Sequence, residues 1–165
     1  MPTLVQQTIA GVTNANTFAL VTDLDTYADN RGKSLPAATD DKERLLIQAN
    51  DFLTSLEGRF KGHRTYEDQP VVFPRDNISA FGYYISGEIP QAILDAQCQL
   101  ALDIHGGLDL LANSDGKEVV EEKVASLSVK YKASGTTSPQ PVPSKALAFL
   151  EPYFKKTSGN ARILR

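Results

Sequence analysis

The sequence predicts a mainly α protein: a small helical bundle with a short β-hairpin or strand element and an extended C-terminal helix and tail. Three observations predict it. Two long segments, from about Asp41 to Leu56 and from Ile89-Pro90 to about Ile104, repeat apolar residues at helical spacing. A single later run, Val124 to Tyr131, alternates with a period of two. Residues 133–143 are rich in Pro, Ser and Thr, the composition of a flexible linker, and an apolar helix follows them. The resulting division is a helical domain over 1–132, a linker over 133–143, and a C-terminal helix with a basic tail over 144–165.

The chain opens on a β-like run, Thr3 to Ile9, that Gly11 ends. Thr13 to Thr17 reads as a turn because Asn side chains bond nearby backbone. After a short extended piece, Phe18 to Val21, a brief helix from about Asp23 to Asn30 has Thr22 as its expected N-cap. Leu24, Tyr27 and Ala28 share one face of it. Asp40 is the expected N-cap of the first long helix, with Glu43 three residues on. Leu45, Leu46, Ala49, Phe52, Leu53 and Leu56 form its apolar stripe. Pro90 stands in the first turn of the second long helix, where its missing N–H costs nothing. Ala92, Ile93, Ala96, Leu100, Ala101 and Ile104 supply that helix's apolar face. Gly106-Gly107 ends it, Leu108 to Ala112 adds another turn, and Asn113 to Gly116 is a turn signal. Val119-Val120 is a candidate strand partner for Val124 to Tyr131, and the last helix starts at Ser144.

A length of 165 residues suits one domain with a real core. Net charge −3 lacks the basic footprint of a strong duplex binder. One cysteine, Cys98, excludes an internal disulfide and a multi-Cys zinc site, and its helical setting makes it a buried apolar residue. The N-terminus lacks a charged segment followed by an apolar one, and no apolar run reaches spanning length, so the expectation is a soluble chain made in the cytoplasm. His63 and His105 lie in different elements and read as a loop residue and a helix-end residue. The carboxylates of Asp23, Asp25, Asp40, Asp41 and Glu43 favour helix N-termini, and Asp95 and Asp103 read as solvated. With no nucleotide-binding glycine loop and no nucleophile motif, the sequence predicts no enzyme, no metal and no cofactor.

Between the long helices runs a connection with Pro, Arg and aromatic residues at close intervals. Its length and apolar content mark it as an ordered interaction element. Arg59, Lys61, Arg64 and Arg75 alternate with Phe60, Tyr66 and Phe73, the pattern of a surface that stacks bases and follows phosphates. The competing reading packs Phe60 and Phe73 inward while the cations meet solvent or carboxylates, and Glu57, Glu67, Asp68 and Asp76 favour it. The C-terminal Lys155, Lys156, Arg162 and Arg165 form a second candidate contact surface, on a helix expected to be detached.

Several short motifs in order resemble one family. They are Gly11 with Asn14 to Thr17, Asp25 and Tyr27, Phe60-Lys61-Gly62 with Arg64-Thr65, Gln69, and Phe73-Pro74-Arg75. Ile89-Pro90, Ala92, Ala96, Leu100-Ala101 and the alternating Leu127, Val129 and Tyr131 continue the match. The chain thereby resembles tailed-phage head–tail adaptor (connector, head-completion) proteins, a group often labelled DnaT-like single-stranded DNA-binding protein. That group usually carries tryptophan where this chain has Phe73, which keeps the packing but loses an N–H donor.

The resemblance implies a structural adaptor in the virion neck: a twelve-fold homo-oligomeric ring beneath the portal protein. Such a ring would join the portal to a downstream neck or tail protein and pass double-stranded DNA without sequence-specific binding. Within it, Phe60, Arg64, Phe73, Pro74 and Arg75 would serve loop rigidity and subunit contact. Phe149, Phe154, Lys155, Lys156, Arg162 and Arg165 would reach the portal. The alternative is a single-stranded DNA-binding replication accessory protein using the Arg59 to Arg75 patch. Neither reading involves a membrane.

Overall fold

The computed structural model describes residues 2–110 and 143–156. Among them are four α-helices: α1 (Val21–Asp29), α2 (Thr39–Ser55), α3 (Gln91–His105) and α4 (Ser144–Leu150). Two antiparallel strand pairs join them, β1 (His63–Arg64) with β2 (Arg75–Asp76), and β3 (Ile78–Ala80) with β4 (Tyr83–Ile85). Helices with minor β content agree with the expected class, but the observed strands lie elsewhere. They occupy the connection read as a loop, while the expected strands at 119–120 and 124–131 fall outside the described residues.

Helix α3 is the centre of the domain, packed by α1, α2 and α4. Ile93, Ala96, Leu100 and Ala101 are buried as their spacing predicts. So are Gln97, Cys98 and Gln99, because neighbours approach from more than one side. Gln97 is fully buried and hydrogen-bonded throughout. Its Oε1 accepts the N–H groups of Phe18 and Ala19, both at 2.9 Å. Its Nε2 donates to Thr17 Oγ1 at 2.8 Å and to the Leu46 carbonyl at 2.9 Å. One side chain thus ties the N-terminal segment, α2 and α3 together.

The helix starts differ from expectation. α1 begins at Val21 rather than after Thr22, and Asp23 reaches back from the first turn to accept the Leu20 N–H at 2.8 Å. α2 begins at Thr39, so Asp40 and Asp41 lie within its first turn, where their charge still favours the helix dipole. The N-terminal run is extended but pairs only locally, with the Gln7 N–H on the Thr17 carbonyl at 2.8 Å.

The C-terminal segment also departs from expectation. Residues 144–156 are docked rather than detached. Ala146, Leu150, Tyr153 and Phe154 are buried in the same core cluster as Phe60, Phe73 and Ile93. Backbone bonds fasten it: the Lys61 N–H donates to the Tyr153 carbonyl at 2.9 Å, and the Lys155 N–H to the Arg59 carbonyl at 2.8 Å. Apolar burial of four side chains outweighs the tendency of a terminus to fray. Ala112, the turn at 113–116, the linker except Pro143, and Arg162 and Arg165 lie outside the described residues.

Candidate nucleic-acid interface

The residues expected to form a contact loop come together inside the molecule. Phe60 and Phe73 are fully buried and meet edge to face, with ring centroids 5.4 Å apart. Phe154 lies 4.9 Å from Phe60, and Tyr153 lies 6.2 Å from Phe73. Pro74 and Arg75 are buried beside them, and the Phe73-Pro74 peptide is cis. Arg75 Nε donates to the Lys61 carbonyl at 2.9 Å, Nη2 to Gly62 at 3.0 Å and Nη1 to Val72 at 3.3 Å. Gly62 sits at φ +65°, and a Cβ there would stand 1.9 Å from the Asp76 carbonyl oxygen, so only glycine lets β1 approach β2.

Glu57 joins the same clamp. Arg64 Nε donates to Glu57 Oε1 at 2.7 Å, and its Nη2 pairs with Oε2, a two-pronged contact. Arg75 Nη1 is 3.5 Å from Glu57 Oε1. Gln69 completes the loop, donating to the Val71 and Pro74 carbonyls at 2.8 and 3.0 Å. The motif residues Phe60, Arg64, Gln69, Phe73, Pro74 and Arg75 therefore hold the connection in shape. The rings of Phe60 and Phe73 offer no face to a base, as the inward-packed reading of this stretch expects, while Tyr66 is 38% exposed and its hydroxyl donates to the Ile9 carbonyl at 2.9 Å.

The clamp has a pH signature. Hydrogen bonds from Arg64 hold the Glu57 carboxyl below its ordinary value of 4.5, against an opposing push from burial. A carboxylate depressed in the fold stabilises it fully above the unfolded value and loses that contribution as pH falls through the folded one. Below about pH 4.5 the urea midpoint of the wild type is expected to fall more steeply than that of Glu57→Gln. Parallel curves would exclude Glu57 from the acid transition.

The most exposed aromatic side chains of this region lie on the β3–β4 hairpin. Phe81, Tyr83 and Tyr84 are 72%, 75% and 68% exposed, the three most exposed large apolar side chains among the described residues. Ala80 pairs with Tyr83 and Ser79 with Tyr84, leaving Phe81-Gly82 as a two-residue turn. The hairpin is firmly held: Ile78 is buried in the core, and Lys61 Nζ donates to the Ser79 carbonyl at 2.7 Å and to Pro152 at 2.8 Å. Exposed cations occupy the adjoining paired segments, Arg59 on one and Lys155-Lys156 on the other. The Arg59 guanidinium lies over the Phe154 ring, 4.4 Å from its centroid. Phe149 is half-buried and Phe154 buried, so neither aromatic of the C-terminal segment presents a free ring. The hairpin falls within the connection expected to be an interaction element, although no contact role was expected of its tip. Its signal is three aromatics within the four residues 81–84, around a glycine.

Among the described residues, no group of three or more His, Cys, Asp or Glu could hold a metal ion. No described helix is long and apolar enough to cross a membrane. Cys98 is buried, and burial pushes its thiol up to about 12, which leaves it inert at neutral pH.

A family model described as "Putative DnaT-like ssDNA binding protein" matches residues 1–165. No curated protein matches the chain. No solved structure matches it either. The match corrects the expectation of a phage head–tail adaptor: the family is described by single-stranded DNA binding, with nothing of a connector or a portal. The portal-contact roles given to the C-terminal residues fall with that reading.

Proposed function

We propose that this chain, which belongs to the family of DnaT-like ssDNA binding proteins, binds single-stranded DNA through its β3–β4 hairpin. The observation that carries the reading is the exposure of Phe81, Tyr83 and Tyr84 on a hairpin whose base is locked to the core. Leaving three aromatic rings in water is unfavourable unless a partner covers them. Unpaired bases are suitable partners because each has a free π-face, and stacking on an aromatic ring is worth about 1–3 kcal/mol per base. A duplex hides those faces, so the hairpin favours single strands.

Arg59 and Lys155 are neighbours, the Lys155 N–H on the Arg59 carbonyl at 2.8 Å, and with exposed Lys156 they would meet phosphates of the same strand. Stacking dominates over charge here, since the whole chain carries net charge −3. Two or three phosphate contacts correspond to a slope of about −2 in log affinity against log salt.

The test is fluorescence anisotropy with labelled oligo-dT. The double variant Tyr83→Ala/Tyr84→Ala is expected to keep its melting temperature, because both side chains are exposed. Its affinity is expected to fall about 10–100-fold. Wild-type affinity in the double variant would remove the hairpin from the interface.

A further inference from the structure

We infer that Phe81 is a wedge: its ring enters between adjacent bases of the bound strand, and it selects strands whose bases separate easily. The inference rests on the single-stranded DNA reading above and adds a role and a substrate preference to it. Phe81 and Gly82 form the two-residue turn with φ of 54° and 83°, both in the left-handed region. Such a turn suits Asn-Gly or Asp-Gly, whose first residue tolerates positive φ. A bulky side chain there is strained. The other non-glycine residue with positive φ among those described is Asn77, at 61°, a residue type that accepts it. Phe81 is the exception.

Packing does not account for the exception. Phe81 is 72% exposed, and its aromatic neighbour is Tyr153, met edge-on with centroids 6.3 Å apart. A phenyl that strains its turn and buries little has its use outside the fold, since strained residues persist where function draws on them. The hairpin supplies the setting. Successive strand residues point to opposite faces, so Tyr83, across from Ala80, and Tyr84, across from Ser79, flank the ribbon on its two sides. Phe81 stands at the apex between them. Lys61 and buried Ile78 hold the base still, so the tip meets the strand as a rigid element.

Apolar side chains wedged between base steps must first unstack them. That cost is small for oligo-dT, whose bases stack weakly, and larger for oligo-dA, whose bases stack well. A wedge therefore binds oligo-dT more tightly than oligo-dA, and the ratio depends on the wedge.

The experiment compares wild type with Phe81→Asn, which suits the turn. The variant is expected to melt about 2–4 °C higher, to lose about tenfold or more in oligo-dT affinity, and to bind the two oligonucleotides nearly equally. The raised melting temperature shows that lost binding is not unfolding. Unchanged affinity and unchanged ratio in Phe81→Asn, with binding still sensitive to Tyr83→Ala/Tyr84→Ala, would overturn the wedge and leave the hairpin reading intact. A lowered melting temperature would overturn the strain argument. A wild type that binds neither oligonucleotide would remove both the reading and the wedge.

Discussion

Arg75→Ala is expected to lower the unfolding free energy by about 3–5 kcal/mol, because a buried charged donor to several backbone carbonyls is lost. The residue is 4% exposed, and its guanidinium serves three backbone carbonyls, those of Lys61, Gly62 and Val72. Alanine leaves all three without their donor in a region water reaches poorly, at about 1–3 kcal/mol for each group left fully unsatisfied. Glu57 keeps Arg64, which holds the total below a simple sum. Arg75→Lys is expected to recover less than half of the loss, because a single ammonium cannot reproduce a planar fork. The backbone of Arg75 also accepts the Gly87 N–H at 3.1 Å, where the chain leaves β4 for α3. Urea titration of the two variants checks the prediction. A loss under about 1 kcal/mol for alanine would mean that the carbonyls find water and that the clamp is not rigid.

Gln97→Leu is expected to cost about 3–5 kcal/mol despite conserving volume and raising hydrophobicity. Four groups bond to that amide: the N–H donors of Phe18 and Ala19, the Leu46 carbonyl, and the Thr17 hydroxyl, which also donates to the Ala19 carbonyl at 2.7 Å. Leucine satisfies none of them. Gln99→Leu provides the control on the same helix. Gln99 accepts a longer bond from the Tyr27 hydroxyl, 3.2 Å, and donates to Asp103 at 2.8 Å, near solvent. Its replacement is expected to cost about 1 kcal/mol. Equal losses at 97 and 99 in denaturant titrations would show that position along α3, rather than hydrogen-bond satisfaction, decides the cost.

The helices were legible because their apolar residues repeat over many turns. Leu46, Ala49 and Leu53 on α2, and Ile93, Ala96 and Leu100 on α3, are buried as their spacing required. Helix starts were less legible, since Asp23 caps α1 from inside its first turn rather than from the position before it. The strands were hidden by their shortness. Two or three residues cannot establish a period of two, and Phe81-Gly82 lacks the Asn-Gly or Asp-Gly signature of a two-residue hairpin turn. The buried polar residues could not be foreseen either. Nothing local to Gln97 says that α3 will be enclosed by α1, α2 and α4, and nothing local to Arg75 says that three carbonyls will converge on it.

The candidate interface was missed for a related reason. Aromatics interleaved with arginines at 59–75 carry the composition of a base-stacking surface, yet folding turns Phe60 and Phe73 inward. Tyr83 and Tyr84 lack neighbouring cations in sequence, and only the pairing of Phe60 with Phe154 brings Arg59 and Lys155 into one region. The C-terminal helix was misjudged because a Pro-rich stretch precedes it. Composition describes a linker but not where the helix beyond it docks.

An amide NMR titration of the full chain with unlabelled oligo-dT shows residue by residue whether the hairpin meets the strand. Saturable shifts are expected on Ile78 to Ile85, with smaller changes at Arg59 and Lys155 and none along the buried face of α3. Spectra unchanged at saturating oligonucleotide, or shifts centred away from the hairpin, would rule out single-stranded DNA binding by the β3–β4 tip.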